Sequence, residues 1–352
     1  MPLQLVAAFF VNNALLKKMK LDLFAFVSVM ALHLFASEAR AQNYPTNPLF
    51  ADRLNTITTS VPFLRIAPDA RSGAMGEGGV ALDADANSMH WNLSRLAFAE
   101  HRFGISASYT PWLRALVPDI NLFYAGLFFK PDSNSAVTGS FRYFSLGSIT
   151  YTNSSGTTIG QIRPREYAAD LGYTRRFGKY VSVGLAFRYV YSNLSEFIGV
   201  ASPPRPIHKG AGRVYCGDVG VTFRSGEFGN ENLRMRLTSG LAITNAGTKM
   251  YYYHPDTADF IPINLGVAQA LRVQFEEKHV FTLHVQLDKL LVPSPPVYEI
   301  DSITGTPKMV NGQYVVLYGK NPERSVINGM LGSFNDAPGG RDEEFREINV
   351  NF

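Results

Sequence analysis

Residues 281–288, with the sequence FTLHVQLD, decide the fold class of this chain. Apolar side chains stand at positions 281, 283, 285 and 287, and Thr, His, Gln and Asp alternate with them. Residues 181–192 repeat this two-residue period. A strand that crosses a bilayer needs one face for lipid and one for a wet lumen, so it reads as about ten residues of alternating hydrophobicity. A soluble β-sandwich also alternates, so the period alone leaves both architectures open.

The lengths of the connections separate the two architectures. Ten strands are predicted, near residues 102–110, 120–130, 136–148, 166–177, 181–194, 213–224, 234–245, 261–271, 279–290 and 345–352. The connections 131–135 and 178–180 are tight, whereas 149–165, 195–212, 246–260 and 291–344 are long. Short periplasmic turns and long external loops are typical of outer-membrane proteins. The sequence therefore predicts an all-β, transmembrane outer-membrane β-barrel of a Gram-negative bacterium.

The N-terminus has the features of a secretory signal peptide over residues 1–41. Lys17, Lys18 and Lys20 precede the apolar stretch 21–36, and the small residues of Ala39-Arg40-Ala41 precede Gln42. We expect Met19 to be the true start and residues 1–18 to be a misassigned upstream extension. The mature chain is then predicted to begin at Gln42.

Composition excludes several classes of protein. The formal charge is +4, and it falls to +2 once residues 1–41 are removed, because that segment holds four Lys or Arg against two acidic residues. A nucleic-acid binder would concentrate basic residues on one face, and the sequence shows no such basic cluster. Cys216 is the only cysteine, so neither an intramolecular disulfide nor a thiolate metal cluster is expected. Its alternating neighbours place it on the luminal face.

Catalytic motifs are missing from the sequence. Nucleophilic catalysis needs a Ser or Cys beside a base and an orienting acid, and the chain has no Gly-x-Ser-x-Gly elbow. The seven histidines show no His-Glu-x-x-His spacing. His284 and Asp288 stand four apart on a predicted strand, roughly 13 Å at about 3.3 Å per residue. We therefore expect no enzymatic activity, no catalytic residue, no cofactor and no metal site.

Residues 42–100 form a segment that a bare barrel does not need, and residues 101–352 supply the strands. Glycines at 73, 76, 78 and 79 let backbone pass close to other backbone, and Asp or Asn at 83, 85, 87 and 92 favours turns and caps over a strand. We predict that residues 42–100 form a hatch folded into the barrel mouth. Its key residues are Pro68, Asp69, Arg71, Gly73, Met75, Gly76, Asn87, Trp91 and Asn92.

Two segments carry a family resemblance. The Gly-rich stretch, followed by Asp, Asn and Trp91-Asn92, resembles the FadL-like barrels, whose hatch occludes a fourteen-stranded lumen. The fuller match, from Pro62 through Asn92 and again over LDKLLVPSPP at 287–296, resembles the PorV family (PorV/PorQ), outer-membrane components of the type IX secretion system. Leu93 departs from the proline usual in that family, which is expected to loosen the local turn.

The strand count also departs from the family, which implies fourteen strands where about ten are present. Residues 348–352 alternate up to a terminal Phe352, a pattern that also resembles a barrel-assembly signal. We expect the barrel to be truncated at the C-terminus, because a ten-stranded closure leaves little room for a hatch in a narrow lumen.

The resemblance implies a shuttle for protein secretion. Such proteins bind the C-terminal signal domain of cargo at the cell surface and pass it from the translocon to an attachment complex. The implied partners are the type IX translocon barrel, cargo C-terminal signal domains, a sortase-like protein of the attachment complex, and outer-membrane lipid. A FadL-like transporter of hydrophobic small molecules is the alternative, and an outer-leaflet lipid deacylase is the third hypothesis.

The external loops offer a surface for cargo. Aromatic and apolar residues suited to recognition are Trp112, Phe197, Ile198, Tyr251, Tyr252, Tyr253, Leu291, Val292, Pro293, Pro295, Pro296 and Tyr314. For any one of them, packing of the loops or contact with lipopolysaccharide is an equal alternative. Residues 313–318 are predicted to form a hairpin arm with an edge for a cargo β-sandwich.

Charged residues are predicted to fill the lumen. On the luminal side of the strands stand Arg176, Arg188, Asp170, Asp218, Arg224 and Asp288. Mutual pairing would crosslink the interior and suit a plugged shuttle, whereas a transporter could use one of the arginines to hold a fatty-acid carboxylate. The sequence leaves both open.

Overall fold

The fold was analysed in a computed structural model that describes residues 56–194, 210–230, 233–252, 255–275, 279–301, 304–310 and 313–352. The predicted signal peptide and residues 42–55 of the predicted hatch lie outside the described residues. The same holds for Phe197, Ile198 and Tyr253 among the predicted cargo residues.

One large antiparallel sheet dominates the structure. Its strands, in spatial order, are β1 (Phe103–Pro111), β2 (Ile120–Phe129), β3 (Ser135–Leu146), β6 (Arg165–Phe177), β7 (Val181–Asn193), β8 (Gly212–Arg224), β10 (Leu233–Gly247), β11 (Asn264–Phe275), β12 (His279–Leu290) and β17 (Asn349–Asn351). The short β9 (Phe228–Gly229) pairs with β10. The all-β class is therefore confirmed, and each strand lies beside the one that precedes it in the predicted series.

Three small strand pairs and four short helices complete the fold of the described residues. The strand pairs are β4 (Ile149–Thr152) with β5 (Thr158–Ile162), β13 (Val297–Tyr298) with β16 (Val316–Tyr318), and β14 (Met309–Val310) with β15 (Gln313–Tyr314). The helices are Ala70–Ala74, Ser88–Trp91, Val326–Gly332 and Arg341–Arg346, and 3-10 turns occupy Pro62–Arg65, Leu93–Phe98 and Pro255–Thr257. No helix in the described ranges is long and apolar enough to cross a membrane.

The two faces of the sheet have inverted polarity. On β12, Phe281 is 61% and Leu283 is 55% exposed, whereas His284 is 2% and Gln286 is 0% exposed. The other strands follow the same rule, with exposed Ile105, Phe129, Leu171, Leu185, Phe187, Tyr215 and Phe223 on one face and buried Thr138, Arg142, Asp170, Thr174, Arg188, Asp218 and Thr222 on the other. A water-soluble protein buries its apolar side chains instead. We call the buried, polar face the inner face.

Residues 56–101, named here the N-terminal segment, cover the inner face. Met89 and Leu93 pack with Phe128 of β2, and Leu82 packs with small residues of β10 and β11. At the end of the sheet where the long connections emerge, Phe63 joins a cluster that includes Ile261. Apolar packing therefore lies between the segment and the sheet, while the polar inner-face residues stand around it.

Two strand predictions were wrong in their bounds. The strand expected at 261–271 begins at Asn264 and runs to Phe275, because Pro262 has no N–H to donate to a ladder. The last strand, expected over 345–352, is limited to Asn349–Asn351. Residues Arg341–Arg346 form a helix instead, with three acidic residues in its first turn, where the helix dipole stabilises negative charge.

Candidate functional site

The N-terminal segment is fastened to the sheet through one glutamine and one asparagine. The Oε1 of Gln286, on β12, accepts hydrogen bonds from the backbone N–H groups of Gly79 and Val80, both at 2.9 Å. The Nδ2 of Asn92 donates to the carbonyl of Val80 at 3.1 Å and to Oγ1 of Thr222 at 3.2 Å. These buried bonds join the segment to strands on both sides of β10.

Close packing explains the glycines at 76, 78 and 79 and does not explain Gly73. A Cβ on Gly79 would stand 2.3 Å from Cγ of Trp91, and one on Gly78 would stand 2.1 Å from Cε1 of His284. Gly76 has a φ of +65°, which favours glycine. A Cβ on Gly73 would meet nothing within 4 Å, so the expectation that Gly73 permits close packing is wrong. Its helix, Ala70–Ala74, is exposed at that position.

Asp69 holds two parts of the N-terminal segment together. Its Oδ1 accepts from the N–H of Ser72 at 2.8 Å and caps the helix Ala70–Ala74, and its Oδ2 accepts from Nε1 of Trp91 at 3.0 Å. Arg71 pairs with Asp85 at 3.1 Å. Asp69, Trp91 and Arg71 therefore bond within the N-terminal segment.

Three further predicted hatch residues contact the sheet or the adjoining core. The carbonyl of Pro68 accepts from Oγ of Ser108, and Oδ1 of Asn87 accepts from Oγ of Ser106 at 2.7 Å. Met75 packs against the cluster around Leu82. Both serines belong to β1, so these bonds tie the segment to the first strand of the sheet.

The turn at Leu93 is capped rather than loose. Asn92 Oδ1 accepts from the N–H of Ser94 at 3.1 Å and closes the start of the 3-10 turn. The side chain of Leu93 is buried and lies over Gly172 and Gly184, where an added Cβ would stand 2.7 Å from it. Leucine therefore fills space on the inner face that two glycines leave open.

A buried ionic cluster, formed by Arg142, Asp170, Arg188 and Asp218, lies beneath the N-terminal segment. Arg188 pairs with Asp170 through Nε and with Asp218 through Nη2 at 2.9 Å. Arg142 Nη2 lies 3.7 Å from Asp170. Two arginines thus balance two aspartates, which is how ions are tolerated away from water.

The ionic cluster reaches the N-terminal segment and a bulge in β10. Arg142 donates from Nη1 to the carbonyl of Leu64 at 2.9 Å, and Arg188 donates from Nη1 to Oδ1 of Asn245. Asn245 has a φ of +60° and sits where the β8–β10 register shifts, a β-bulge that Asn tolerates. Sequence reasoning missed Arg142 and Asn245. The position of Arg142 on the polar face of β3 was the available signal.

The other predicted luminal charges stand apart from the cluster. Arg176 bonds to Oδ1 of Asn134 at an exposed turn, and Arg224 donates to the carbonyl of Phe98 at 3.1 Å. Asp288 accepts from the amides of Asn264, Gln286 and Asn351. Of the six predicted luminal charges, Asp170, Arg188 and Asp218 therefore belong to the ionic cluster. The other three make separate contacts.

At the short-turn end of the sheet, Asp83 links the N-terminal segment to two strands. Its carboxylate lies 2.5 Å from Nη2 of Arg236 on β10 and 2.9 Å from Nη1 of Arg272 on β11. Burial raises the pKa of Asp83, but attraction to the two arginines outweighs it and holds the pKa below its ordinary value. The carboxylate is therefore ionised at neutral pH.

Residues 291–348, named here the distal segment, are anchored at one lysine. Lys289 at the end of β12 pairs with Glu344 at 3.0 Å and with Glu347 at 2.8 Å, and all three side chains are largely buried. Glu344 also accepts from the N–H groups of Asp336 and Ala337. These contacts bring the far end of the distal segment back to the strand from which it departs.

The family assignment follows from the sequence match over this architecture. The chain matches the family model of the type IX secretion system protein PorV over residues 50–297, which is 248 of 352 residues. The chain belongs to the PorV family. No curated protein matches it. The match covers the N-terminal segment and the sheet through β12, and the predicted resemblance is confirmed.

Membership in the PorV family assigns this chain to type IX secretion.

The residues predicted to recognise cargo divide by exposure. Tyr251 and Tyr314 are exposed, whereas Trp112 and Tyr252 are half-buried. The hydroxyl of Tyr252 lies 2.9 Å from that of Ser192, a contact within the fold.

The proline-rich step of this PorV-family chain is mostly internal. Leu291, Val292 and Pro293 are buried, and the first two belong to the cluster around Ile261. Pro295 and Pro296 are half-buried. The step therefore supports the distal segment from beneath, and its first three side chains are not available as a contact surface.

The distal segment exposes an apolar surface that sequence reasoning mostly missed. Its exposed large apolar residues are Ile300, Met309, Val310, Tyr314, Leu317, Tyr318, Ile327, Leu331, Phe334 and Phe345. The hairpin arm was expected over 313–318, whereas β15 (residues 313–314) pairs with β14 and residues 316–318 pair with β13. Ile327 and Leu331, four apart, share one face of the helix Val326–Gly332.

No metal-binding site is found in the part of the chain that the structure describes. No group of three or more His, Cys, Asp or Glu side chains there could hold an ion. The features available for function are thus the fastened N-terminal segment, the ionic cluster and the exposed surface of the distal segment.

Proposed function

We propose that this PorV-family protein is an outer-membrane β-barrel that carries type IX cargo at the cell surface. In this proposal, residues 1–41 are the signal peptide, 42–100 the hatch and 101–352 the barrel. The exposed apolar surface of the distal segment carries the functional part of the proposal. It would bind the C-terminal signal domain of cargo and pass it from the translocon barrel to a sortase-like attachment complex.

The inverted polarity of the sheet supports a membrane location. Exposed apolar side chains, such as Leu171 and Leu185, would face lipid, and the inner face would be the lumen. Aromatic residues near the short turns, such as Phe177 and Phe223, would stand at one interface. Closure needs hydrogen-bonding partners for the outer edges of β1 and β17 and for the part of β12 that β17 does not cover, since lipid offers none. Fourteen strands, as the family resemblance implies, would supply them.

The fastening of the N-terminal segment favours a plugged lumen over an open one. A shuttle for folded domains needs no path through the barrel, whereas a FadL-like transporter needs a continuous apolar passage. The inner face is lined by paired charges and by buried polar side chains such as Gln286. That lining disfavours transport of hydrophobic molecules, so the adaptor function is preferred.

The distal segment suits a docking role because its apolar residues are exposed while its base is fixed. Met309 and Tyr314 are more than half exposed on the β14–β15 hairpin, and the rings of Tyr298 and Tyr314 stand 5.2 Å apart. The Lys289 anchor limits how far the segment can move. Exposed aromatic and Met side chains on a rigid support are enriched in interface cores. The short hairpin also offers an edge to a β-rich domain.

Topology can be tested by labelling on whole cells. Cysteines introduced at Ser154 and Thr257, in long connections, should react with a membrane-impermeant maleimide, and one at Asn134, in a short turn, should not. Buried Cys216 should stay unlabelled in the parent chain, which provides the background. Equal labelling of all three positions would contradict the orientation.

The cargo role can be tested with a distal-segment deletion. Removal of residues 309–318 should leave a folded, surface-exposed barrel that no longer co-purifies with a type IX C-terminal signal domain. The double substitution Met309→Ser with Tyr314→Ser should weaken capture without touching buried residues. Shortening the β4–β5 tip, residues 153–157, is the matched control and should not change capture.

Three outcomes would redirect the proposal. Full cargo capture by the deletion variant would move the binding surface to the connection around Tyr251. Loss of fatty-acid uptake with cargo capture intact would favour the transporter. Loss of heat-modifiable migration on gels would show that the deletion unfolds the barrel, and the double substitution then decides.

A further inference from the structure

A cavity of about 460 Å³ lies between the N-terminal segment and the inner face of the sheet. It is bordered by Thr244, Asn264 and Asp288, which lie at the end of the sheet where the connection 248–263 and the distal segment emerge. Its volume falls within the range of about 300–1,000 Å³ that small-molecule sites occupy. Cargo docking on the outside does not require such a cavity.

We infer that this cavity binds a neutral saccharide of one or two rings. The first observation is aromatic: the chain has two tryptophans, Trp91 and Trp112, and both line the cavity. Trp91 comes from the N-terminal segment, and Trp112 follows β1. A pyranose ring presents flat C–H faces and a rim of hydroxyls, so it packs on indole surfaces while its rim needs polar partners.

The second observation is the set of amides around those rings. The cavity is lined by Asn245, Asn264, Asn349 and Asn351, together with the acidic Glu77 and Asp288. Side-chain amides donate to and accept from neighbouring hydroxyls, and ionised carboxylates accept from them, in well-defined directions. Apolar residues are few, being mainly Leu64, Ile66, Val80 and Ala242. This composition suits a hydroxylated ligand better than an acyl chain.

The third observation is unused hydrogen-bonding capacity. Oδ1 of Asn264 and Nδ1 of His90 are both buried and have no partner among the described residues. Buried polar atoms without partners are rare in folded proteins and call for an explanation. Both residues line the cavity, and a small rotation of either side chain would bring its unpaired atom to a bound hydroxyl. Because Nδ2 of Asn264 is held by Asp288 at 2.9 Å, its Oδ1 stays close to one direction.

Charge balance favours a neutral ligand. Two cations line the cavity, Arg65 and Arg188, and two anions oppose them, Glu77 and Asp288. Arg188 is already engaged by Asp170, Asp218 and Asn245. A fatty acid or a phosphate would instead need an uncompensated cation beside it. The saccharide could be free, or it could be the glycan part of a lipid, and both share the same recognition chemistry.

The experiment uses the full mature chain in lauryldimethylamine oxide, because a maltoside detergent would itself present the probe. Maltose, cellobiose and N,N′-diacetylchitobiose are titrated by calorimetry and by intrinsic fluorescence, which reports the cavity because both tryptophans line it. Dodecyl maltoside below its micellar concentration is the lipid-linked arm. Decanoate and a neutral tetrapeptide are the competing ligand classes.

The expected result is saturable binding of at least one disaccharide with a change in tryptophan emission. Asn264→Leu should weaken that binding by about threefold to tenfold, because one directed hydrogen-bonding group is lost. Trp112→Leu should weaken it as well, measured by calorimetry. The matched control is Asn121→Leu at the start of β2, on the outward face, and it should bind as the parent does.

Other results would overturn the inference. These are no saturable binding of any saccharide, binding that is unchanged in both Asn264→Leu and Trp112→Leu, or binding of decanoate or the peptide alone. Tighter binding of dodecyl maltoside than of maltose would support a glycan on a lipid as the source, and equal affinities would support a free saccharide. Capture of a cargo signal domain by Asn264→Leu should be intact, which separates this site from the proposed cargo surface.

Discussion

The N-terminal segment and the distal segment are both long excursions from the strand pattern, yet they are built in opposite ways. The N-terminal segment buries its contacts, with Gln286 and Asn92 joining it to the inner face. The distal segment is anchored at Lys289 and through the buried Leu291 and Val292, and it turns apolar side chains such as Leu331 outward. The N-terminal segment packs into the interior, and the distal segment presents an exposed apolar surface.

This difference indicates where substitutions should affect folding and where they should affect partners. Changes beneath the N-terminal segment remove buried ion pairs or fill space that is already occupied, and both mechanisms cost free energy of unfolding. Changes on the outer side of the distal segment disturb few buried contacts. Stability and cargo capture should therefore separate along this line.

The largest expected effect is at the centre of the ionic cluster. Arg188→Met leaves Asp170 and Asp218 buried without their main partner, and removal of one partner of a buried pair costs about 3–5 kcal/mol. Assembled, heat-modifiable protein should fall sharply, and the urea midpoint in detergent should drop. Arg163→Met, at an exposed arginine that bonds to Ser148, is the matched control and should behave as the parent does. An unchanged midpoint for Arg188→Met would show that the cluster does not stabilise the fold.

A smaller effect is expected from adding a side chain at Gly79, where neighbouring atoms already occupy the space. Gly79→Val would place side-chain atoms against the Trp91 ring, and overpacking of this kind costs about 1–3 kcal/mol. Gly73→Val, which meets open space, should leave the urea midpoint nearly unchanged. Equal losses from the two substitutions would mean that the packing of Gly79 is not what matters.

Asp83 should give a still smaller effect that depends on pH. The folded pKa is below its ordinary value of 3.8, so the tie to Arg236 and Arg272 contributes fully above that value and is lost as the pH falls through the folded pKa. Asp83→Asn should lower the urea midpoint at pH 7, and its difference from the parent should shrink as the pH falls through the folded pKa. A difference between variant and parent that persists at the acid end would exclude the ion pair as its cause.

The smallest effect on stability is expected in the distal segment. Ile327→Asp and Leu331→Asp change exposed side chains, so the free energy of unfolding should change by less than about 0.5 kcal/mol. Capture of a cargo signal domain should fall severalfold, because a charge enters the apolar surface. Asn328→Asp adds the same charge to an exposed position of the same helix and should retain more capture. Equal capture by all three variants would move the partner surface elsewhere.

How far the sequence predicted the fold depends on whether a feature is local. Each strand was predicted from the two-residue alternation that its own residues show. For β12 the predicted and observed bounds agree. The β11 start was missed because Pro262 breaks the ladder inside an apolar run. The helix Arg341–Arg346 was missed because apolar alternation at the chain end outweighed its acidic first turn.

The candidate site was predictable only in part. Asp170, Arg188 and Asp218 were found because their faces on separate strands are fixed by the period. Arg142 could have been found in the same way. Asn245 could not, because a β-bulge changes which face of the sheet a residue points to, and the alternation in the sequence does not show it. Exposure in the distal segment depended on which side of the helix Val326–Gly332 packs inward, and buried Gly329, which faces Phe260 and Pro293, marks that side.

The sequence by itself determined the all-β class, the inverted polarity of the faces, the alternation of short and long connections and the resemblance to the PorV family. The tertiary structure alone decided that Gly79 is closely packed while Gly73 is open, that Leu291 is internal while Tyr314 is exposed, and that both tryptophans line one cavity. The physical reason is range. A period and a turn are set by neighbouring residues, whereas contacts such as Gly79 with Gln286 join residues 207 apart in the chain and exist only once register and packing are fixed.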